Sequence, residues 1–390
     1  MHALKLIVKN ALRHKLRTFL TVLGLTVATL SFGLLQTVIG AWYAGAEAAS
    51  NTRLITRNSI SLVFPLPLSY ESRIRGVEGV DGVGYANWFG GVYQDPKNFF
   101  PQFAISGGGY LDLFPEFVLK DEERDAFLRD RKGAVIGRKL ANQYGFKVGD
   151  IIPIRGTIFP GQWEFTVRAI YDGREASTDT SQMFFHWDYL NETLLKKAKA
   201  RAPSGLQNQV GFYVVRIKDP EHAASISRAV DAQFKNSLAE TLTETEKAFQ
   251  LGFVSMSQAI VTAIRVVSFV VILIIMAVMA NTMAMSARER MSEYATLKAL
   301  GFGPGFLALL IFGESLLISL VGAGLGIALL FPATAAFSTK IGTLFPVVEI
   351  ARQTMALQFG AAIAIGIIAA ILPAVRAAQV RIVDGLRRIG

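Results

Sequence analysis

The sequence predicts a membrane protein with four transmembrane α-helices and a large α+β extracytoplasmic domain inserted between the first and second. Three observations predict it. Apolar residues make up 52% of the 390 and charged residues only 18%, with a mean hydropathy of +0.38. The apolar excess is gathered into a few long runs, which marks bilayer spans rather than one large core. Basic residues flank those runs on one side of a four-span topology.

The first run, Thr18 to Tyr43, holds no charged residue and exceeds the roughly 20 residues needed to cross hydrocarbon. Ala44-Gly45-Ala46 resembles a signal-peptidase site, but the apolar run is longer than the roughly 7–15 residues usual for a signal. The second run, Val266 to Ala287, lies between Arg265 and Arg288. The third, between Lys298 and Lys340, contains one charge, Glu314. The fourth, Gln353 to Val375, lies between Arg352 and Arg376. The expected segments are residues 1–17 (amphipathic helix), 18–43, 257–287, 304–332 and 354–375 (spans) and 44–256 (inserted domain with a stalk helix). Residues 288–303 form a short helical connection, 333–353 a short loop and 376–390 a tail.

Lys5, Lys9, Arg13, Lys15 and Arg17 precede the first span. Arg288, Arg290 and Lys298 lie between the second and third, and Arg376, Arg381, Arg387 and Arg388 follow the fourth. The positive-inside rule places all three segments, and both termini, in the cytoplasm. The net charge of +10 is therefore read as topogenic rather than as a nucleic-acid surface. Before the first span, Leu4, Ile7, Val8, Ala11, Leu12 and Leu16 repeat at helical spacing, as in a helix lying on the lipid of the inner leaflet.

The inserted domain reads as alternating strands and helices. Strands are expected at 58–63, after Val80, at 103–106, 134–137, 151–155, 165–171 and 210–217. Helices are expected at 69–75, 120–132, 138–144 and after Asp219-Pro220-Glu221. Residues 196–205 read as a polar loop, and the chain after Thr241 as one helix running into the second span. Phe99, Phe100, Phe103, Phe114 and Phe117 read mostly as core.

There is no cysteine, and His2, His14, His186 and His222 are far apart, so neither disulfides nor a zinc or haem site is expected. No H-E-x-x-H and no nucleophile elbow occurs, so the chain does not read as an enzyme. Glu314 is costly inside a span, and either contacts the amphipathic helix or a dimer partner, or lies near enough to the interface to be hydrated. Asn281 and Gln36 are polar groups that can bond across helices, and Gly322-x-x-x-Gly326 permits close helix approach.

The connection Ala287-Arg288-Glu289-Arg290-Met291-Ser292-Glu293-Tyr294-Ala295-Thr296-Leu297-Lys298-Ala299-Leu300-Gly301-Phe302 resembles the coupling segment of the FtsX/MacB/LolC family of ABC transporter permeases. Four more stretches agree in order: Asn10 to Thr21, Ile136 to Asp150, Glu314 to Gly326, and Leu372 to Ala378. One departure is Ile382, where the family often has proline. Tyr294, Leu297 and Leu300 offer an apolar stripe, with Arg288, Glu289, Arg290, Glu293 and Lys298 as a polar rim. Gly301 ends the helix.

The resemblance implies an inner-membrane permease that passes ATPase motion to the periplasmic domain by mechanotransmission, exporting or extracting an amphiphilic or lipid-like cargo. FtsX-like signalling to a periplasmic partner such as a cell-wall hydrolase is the alternative. No G-x-x-x-x-G-K-[S/T] loop occurs, so ATP and Mg are expected on a separate ABC ATPase subunit, and no cofactor on this chain. A second permease copy is expected, and a periplasmic adaptor is compatible with the same scheme.

Overall fold

The computed structural model describes residues 2–200, 205–341, 345 and 347–380. The tail residues Arg381, Ile382, Arg387 and Arg388 lie outside them. The chain divides into two compact units. One is Met1–Ala41 with Ser257–Lys340 and Val348–Gly390, and the other is Trp42–Met256 with Ile341–Val347.

In chain order, α1 (His2–Ala11) and α2 (Lys15–Ala48) lead into β1 (Arg53–Asn58), β2 (Leu66–Pro67), α3 (Tyr70–Arg75), β3 (Val80–Trp88), β4 (Gln102–Ile105), α4 (Gly108–Leu111) and β5 (Phe117–Val118). Next come α5 (Asp121–Arg129), β6 (Gly133–Gly137), α6 (Arg138–Tyr144), β7 (Ile151–Gly156), β8 (Gly161–Gly173), β9 (Met183–His186) and α7 (Trp187–Ala200). After β10 (Gln209–Val210) and β11 (Phe212–Ile217), a 3-10 turn at Pro220–His222 opens α8 (Ala223–Gln233), and β12 (Thr241–Thr245) precedes α9 (Glu246–Met256). The chain closes with α10 (Gln258–Glu289), α11 (Met291–Ala299), α12 (Pro304–Ile341) and α13 (Arg352–Gln379).

Helices α2, α10, α12 and α13 are each long and apolar enough to cross a membrane. Small residues set their packing. A methyl group at Gly326 would stand 2.9 Å from the Thr26 carbonyl oxygen, and one at Gly322 2.5 Å from Leu25 Cβ. The Gly322-x-x-x-Gly326 pair therefore seats α12 directly on the backbone of α2. On another side of α12, Ser315 Oγ donates to the Gly366 carbonyl at 2.7 Å, drawing in α13. Gln36 Nε2 donates to Ser268 Oγ at 3.3 Å, joining α2 to α10, while Asn281 lies on an exposed face of α10. Glycine or a small hydroxyl at these contacts replaces the hydrophobic drive that lipid does not supply.

The inserted unit is a mixed sheet in the order β12-β1-β11-β3-β4-β9-β6-β8-β5, with β7 paired to the other part of β8. The β4–β9 and β6–β8 pairings are parallel and the rest antiparallel. Apolar cores line both faces, one holding Trp163, Phe165 and Tyr213, the other Tyr171, Phe184 and Val214. Phe100 is fully in a core, and Phe103, Phe114 and Phe117 pack against one, but Phe99 is exposed.

Three local expectations are corrected. The first strand ends at Asn58 instead of starting there, because Asn58 Oδ1 accepts from Ile60 N at 3.0 Å and Ser61 turns the chain back at Val63 and Phe64. Residues 196–200 continue α7 rather than forming a loop. The chain after Thr241 is first a strand, because Thr241, Thr243 and Thr245 alternate along β1. Helix α9 is then separated from α10 at Ser257, so the helix is not continuous from Thr241 into the second span.

Candidate coupling site

Helix α11 is short, and its ends explain why. Gly301 adopts φ +92, its N–H donates to the Lys298 carbonyl at 3.0 Å, and Phe302 N donates to the Leu297 carbonyl at 3.1 Å. This is the Schellman arrangement, in which a left-handed glycine satisfies the last carbonyls and turns the chain. The helix-ending role read for Gly301 therefore holds. Pro304 then opens α12.

The polar residues of this segment reach into their own bundle. Arg290 Nη1 donates to Glu314 Oε2 at 2.7 Å, both side chains 6% exposed. Arg290 Nε also bonds Glu293 at 3.3 Å. Glu293 pairs with Arg13, and Glu289 accepts from Arg17 Nη2 at 2.6 Å, with His14 3.6 Å away. Lys298 Nζ donates to the carbonyls of Ala378 and Val380 at 2.6 and 2.8 Å, capping the end of α13. The segment from Glu289 to Lys298 is thus bonded to α2, to α12 and to the end of α13.

The electrostatics follow from these pairs. Burial pushes the Glu293 carboxyl up, but the guanidiniums of Arg13 and Arg290 outweigh it and hold it below the ordinary carboxylate range. Burial raises the Tyr294 phenol to about 12. Burial opposes the Arg290 charge, yet Tyr294, Glu314 and Glu293 together raise its pKa.

The expected apolar stripe is corrected by these contacts. Tyr294 is 2% exposed and Leu297 packs against the bundle core, so neither faces outward. The reason is helical phase: Tyr294 and Ala295 lie on the side turned to the spans, with Arg290 above the Tyr294 ring at 5.4 Å. Leu300 is 71% exposed and Phe302 42%, with Phe302 stacked on Phe306 at 4.7 Å. Arg288 and Glu289, before the other end of the helix, are exposed as well. Of the expected rim, Glu289, Arg290, Glu293 and Lys298 are committed to internal bonds. Glu314 is 5% exposed, and it bonds Arg290 and Ser286.

Helix α1 divides its apolar face in a way the periodicity did not distinguish. Ile7 and Ala11 are buried, and a methyl at Gly313 of α12 would meet Ile7 Cδ1 at 2.5 Å. Val8 remains exposed, as do Leu12 just past the helix and Leu16 at the start of α2.

A second charged cluster, which sequence reasoning missed, lies in the inserted unit. Arg53, 4% exposed, bonds Glu246 through Nε at 2.8 Å and Glu116 through Nη2 at 2.6 Å, and stacks over Phe114 at 4.4 Å. Glu246 also accepts from Ser50 N at 2.9 Å. The chain leaving α2 and the chain entering α9 are thereby bound to one guanidinium. Three charges spread over nearly 200 residues give no local spacing signal, so only the fold joins them. Among the described residues no cluster of His, Asp or Glu suited to a metal occurs.

Four helices long and apolar enough to cross a membrane, a short helix bonded to them and an α/β domain inserted after the first are the features of a multi-pass membrane protein. The descriptions "FtsX-like permease C-terminal" and "MacB-like periplasmic core domain" match residues 265–382 and 18–233. The chain belongs to this family of ABC transporter permeases. An uncharacterized ABC transporter permease of Methanocaldococcus jannaschii is 24% identical over 403 residues, 97% of this chain and 96% of its own length. An uncharacterized ABC transporter permease protein of Mycobacterium tuberculosis is 24% identical over 53% of this chain, which spans only 22% of that relative. The extracellular domain of the transporter YknZ from Gram-positive bacteria covers 50% of this chain and 100% of its own at 14% identity, TM-score 0.34. The periplasmic region of MacB from Actinobacillus actinomycetemcomitans covers 53% and 94% at 8% identity, TM-score 0.36.

Proposed function

We propose that this permease couples ATP hydrolysis on a separate ABC ATPase to work done by its inserted domain on an amphiphilic or lipid-like cargo outside the inner membrane. Both termini and α11 then face the cytoplasm. A second permease copy completes the transporter, matching two nucleotide sites. The carrying observation is the bonding around α11: Glu289 and Arg290, just before it, hold Arg17 of α2 and Glu314 of α12, and its own Lys298 holds the end of α13, so that a displacement of this segment bears on all three spans. The surface left for the ATPase is the corner Leu300–Phe302 with Arg288, Glu289 and Thr296, not the Tyr294 face. An exposed apolar knob with a polar rim suits a groove in a partner.

The test is purification of the tagged chain from its native host in mild detergent, with mass spectrometry of its companions. An ABC ATPase is expected with the wild type and lost with Leu300→Asp, while the melting temperature of the permease is unchanged. An ATPase that stays bound to Leu300→Asp places the contact elsewhere. A hydrolase companion in place of an adaptor turns the reading towards signalling.

A further inference from the structure

Glu314 lies beside two guanidiniums and bonds only one. Arg290 holds it at 2.7 Å. Arg17 lines the same small cavity, about 20 Å3, together with Asn10, His14, Thr282 and Ser286. Arg17 uses Nη2 for Glu289, whereas its Nη1 is buried and bonds nothing. A buried donor without an acceptor is uncommon and calls for an explanation. A buried carboxylate separated from its cation is strongly destabilising, because neither charge is returned to water. Any motion of α11 away from α12 draws Arg290 off Glu314 and meets that penalty, unless a second cation is within reach.

We propose that Glu314 is a two-position carboxylate: bonded to Arg290 in the state described here, and to Arg17 Nη1 when α11 is displaced. The cavity is the space the carboxylate crosses. Its polar lining, Thr282 and Ser286 on α10 and Asn10 and His14 at the start of the chain, offers hydrogen bonds along the way. The charge stays paired at both ends, so the coupling helix moves without stranding an ion inside the bundle. Arg17 and Glu314 are positioning residues in this scheme, and Arg290 is the moving part.

The biological use of this exchange rests on the coupling reading above. The test needs neither ATPase nor cargo, so its failure removes the exchange and leaves that reading standing. The melting temperature of the full chain in detergent is measured for Arg17→Met, Arg290→Met and the pair. Arg17→Met alone loses a partly exposed bond to Glu289 and costs little. In the Arg290→Met background Arg17 is the guanidinium that remains at the Glu314 cavity, so the same substitution lowers the melting temperature at least twice as far. Adding Glu314→Gln removes the difference. Additive losses overturn the proposal.

Because the chain has no cysteine, spin labels at Leu12→Cys and Thr296→Cys, both exposed, give a second readout that a purely structural role does not move. Arg290→Met is expected to add a second distance population, which Arg17→Met abolishes. One unchanged population overturns the proposal. If Arg290→Met does not fold, Arg290→Lys replaces it in both measurements, since a lysine cannot serve Glu314 and Glu293 together as the guanidinium fork does.

Discussion

Replacing Arg53 with methionine tests the clasp that binds the two chain crossings of the inserted unit. The substitution keeps most of the side-chain volume and removes the charge, leaving Glu246 and Glu116 facing an apolar group. Their exposures, 12% and 27%, differ in consequence. Glu116 can rehydrate by a small movement, whereas Glu246 keeps only the Ser50 N–H. Breaking a buried pair from one side costs about 3–5 kcal/mol, and rehydration of Glu116 places this case near the lower end. For a unit of this size each kcal/mol lowers the melting temperature by about 2–4 °C, which gives a loss of roughly 6–12 °C. Tryptophan fluorescence is the assay, because Trp42, Trp88, Trp163 and Trp187 all fall within the inserted unit and report its unfolding selectively. A triple variant, Arg53→Met with Glu116→Gln and Glu246→Leu, removes the stranded charges and should recover at least half of the loss. A loss below about 2 °C for Arg53→Met would refute the reasoning, since the guanidinium would then hold nothing together.

Gly326→Leu forces a side chain against the Thr26 carbonyl and Thr29 and should cost about 1–3 kcal/mol, seen as earlier thermal aggregation of the detergent-solubilised chain. Wild-type behaviour would mean that α2 and α12 are not in backbone contact. Tyr294→Ala removes a buried ring from the core beneath α11 and should destabilise the bundle by about 3–5 kcal/mol, a fall in melting temperature rather than a selective loss of ATPase binding. Selective loss would return Tyr294 to the outward face. The depressed pKa of Glu293 means that its ion pair stabilises the fold fully above the ordinary carboxylate range and fades only as pH falls through the lowered folded-state value. The stability gap between wild type and Glu293→Gln should therefore be flat near neutrality and close on acidification, and a gap constant down to acid pH rules out that pair as its source.

Much of the fold was legible because its signals are local. The four apolar runs, the Gly301 stop and the Asp219-Pro220 helix start each depend on neighbours a few residues away, and each is where it was expected. Strand β12 was misread because Thr241–Thr245 carries little apolar content, and its state is decided by β1, which lies almost 190 residues earlier. The turn at Ile60–Phe64 misled for the converse reason: β-branched and aromatic side chains suggest a strand, but Asn58 and Ser61 take the backbone bonds first. At the coupling segment the residue types were legible and their direction was not. A helix of nine residues that mixes Glu293 and Lys298 with small and apolar residues has no dominant apolar face in sequence, so its neighbours decide which side turns inward.

The bonding of the segment 289–298 to three separate spans has a consequence for inheritance. A segment whose charges are answered by residues near positions 13–17, 314 and 378–380 cannot be exchanged with a relative's by itself. A graft of 288–303 from a relative without basic residues at 290 and 298 takes from Glu314 its Arg290 partner and from the end of α13 its ammonium cap, even when the outward residues match a new ATPase. The transplantable unit is a discontinuous set: the N-terminal turn, the connecting helix, one carboxylate and the last turn of the final helix. Leu300 and Phe302, exposed and outside the bundle's charge set, are the positions at which a change of ATPase is expected to act, and Arg290 and Glu314 are expected to change as a pair.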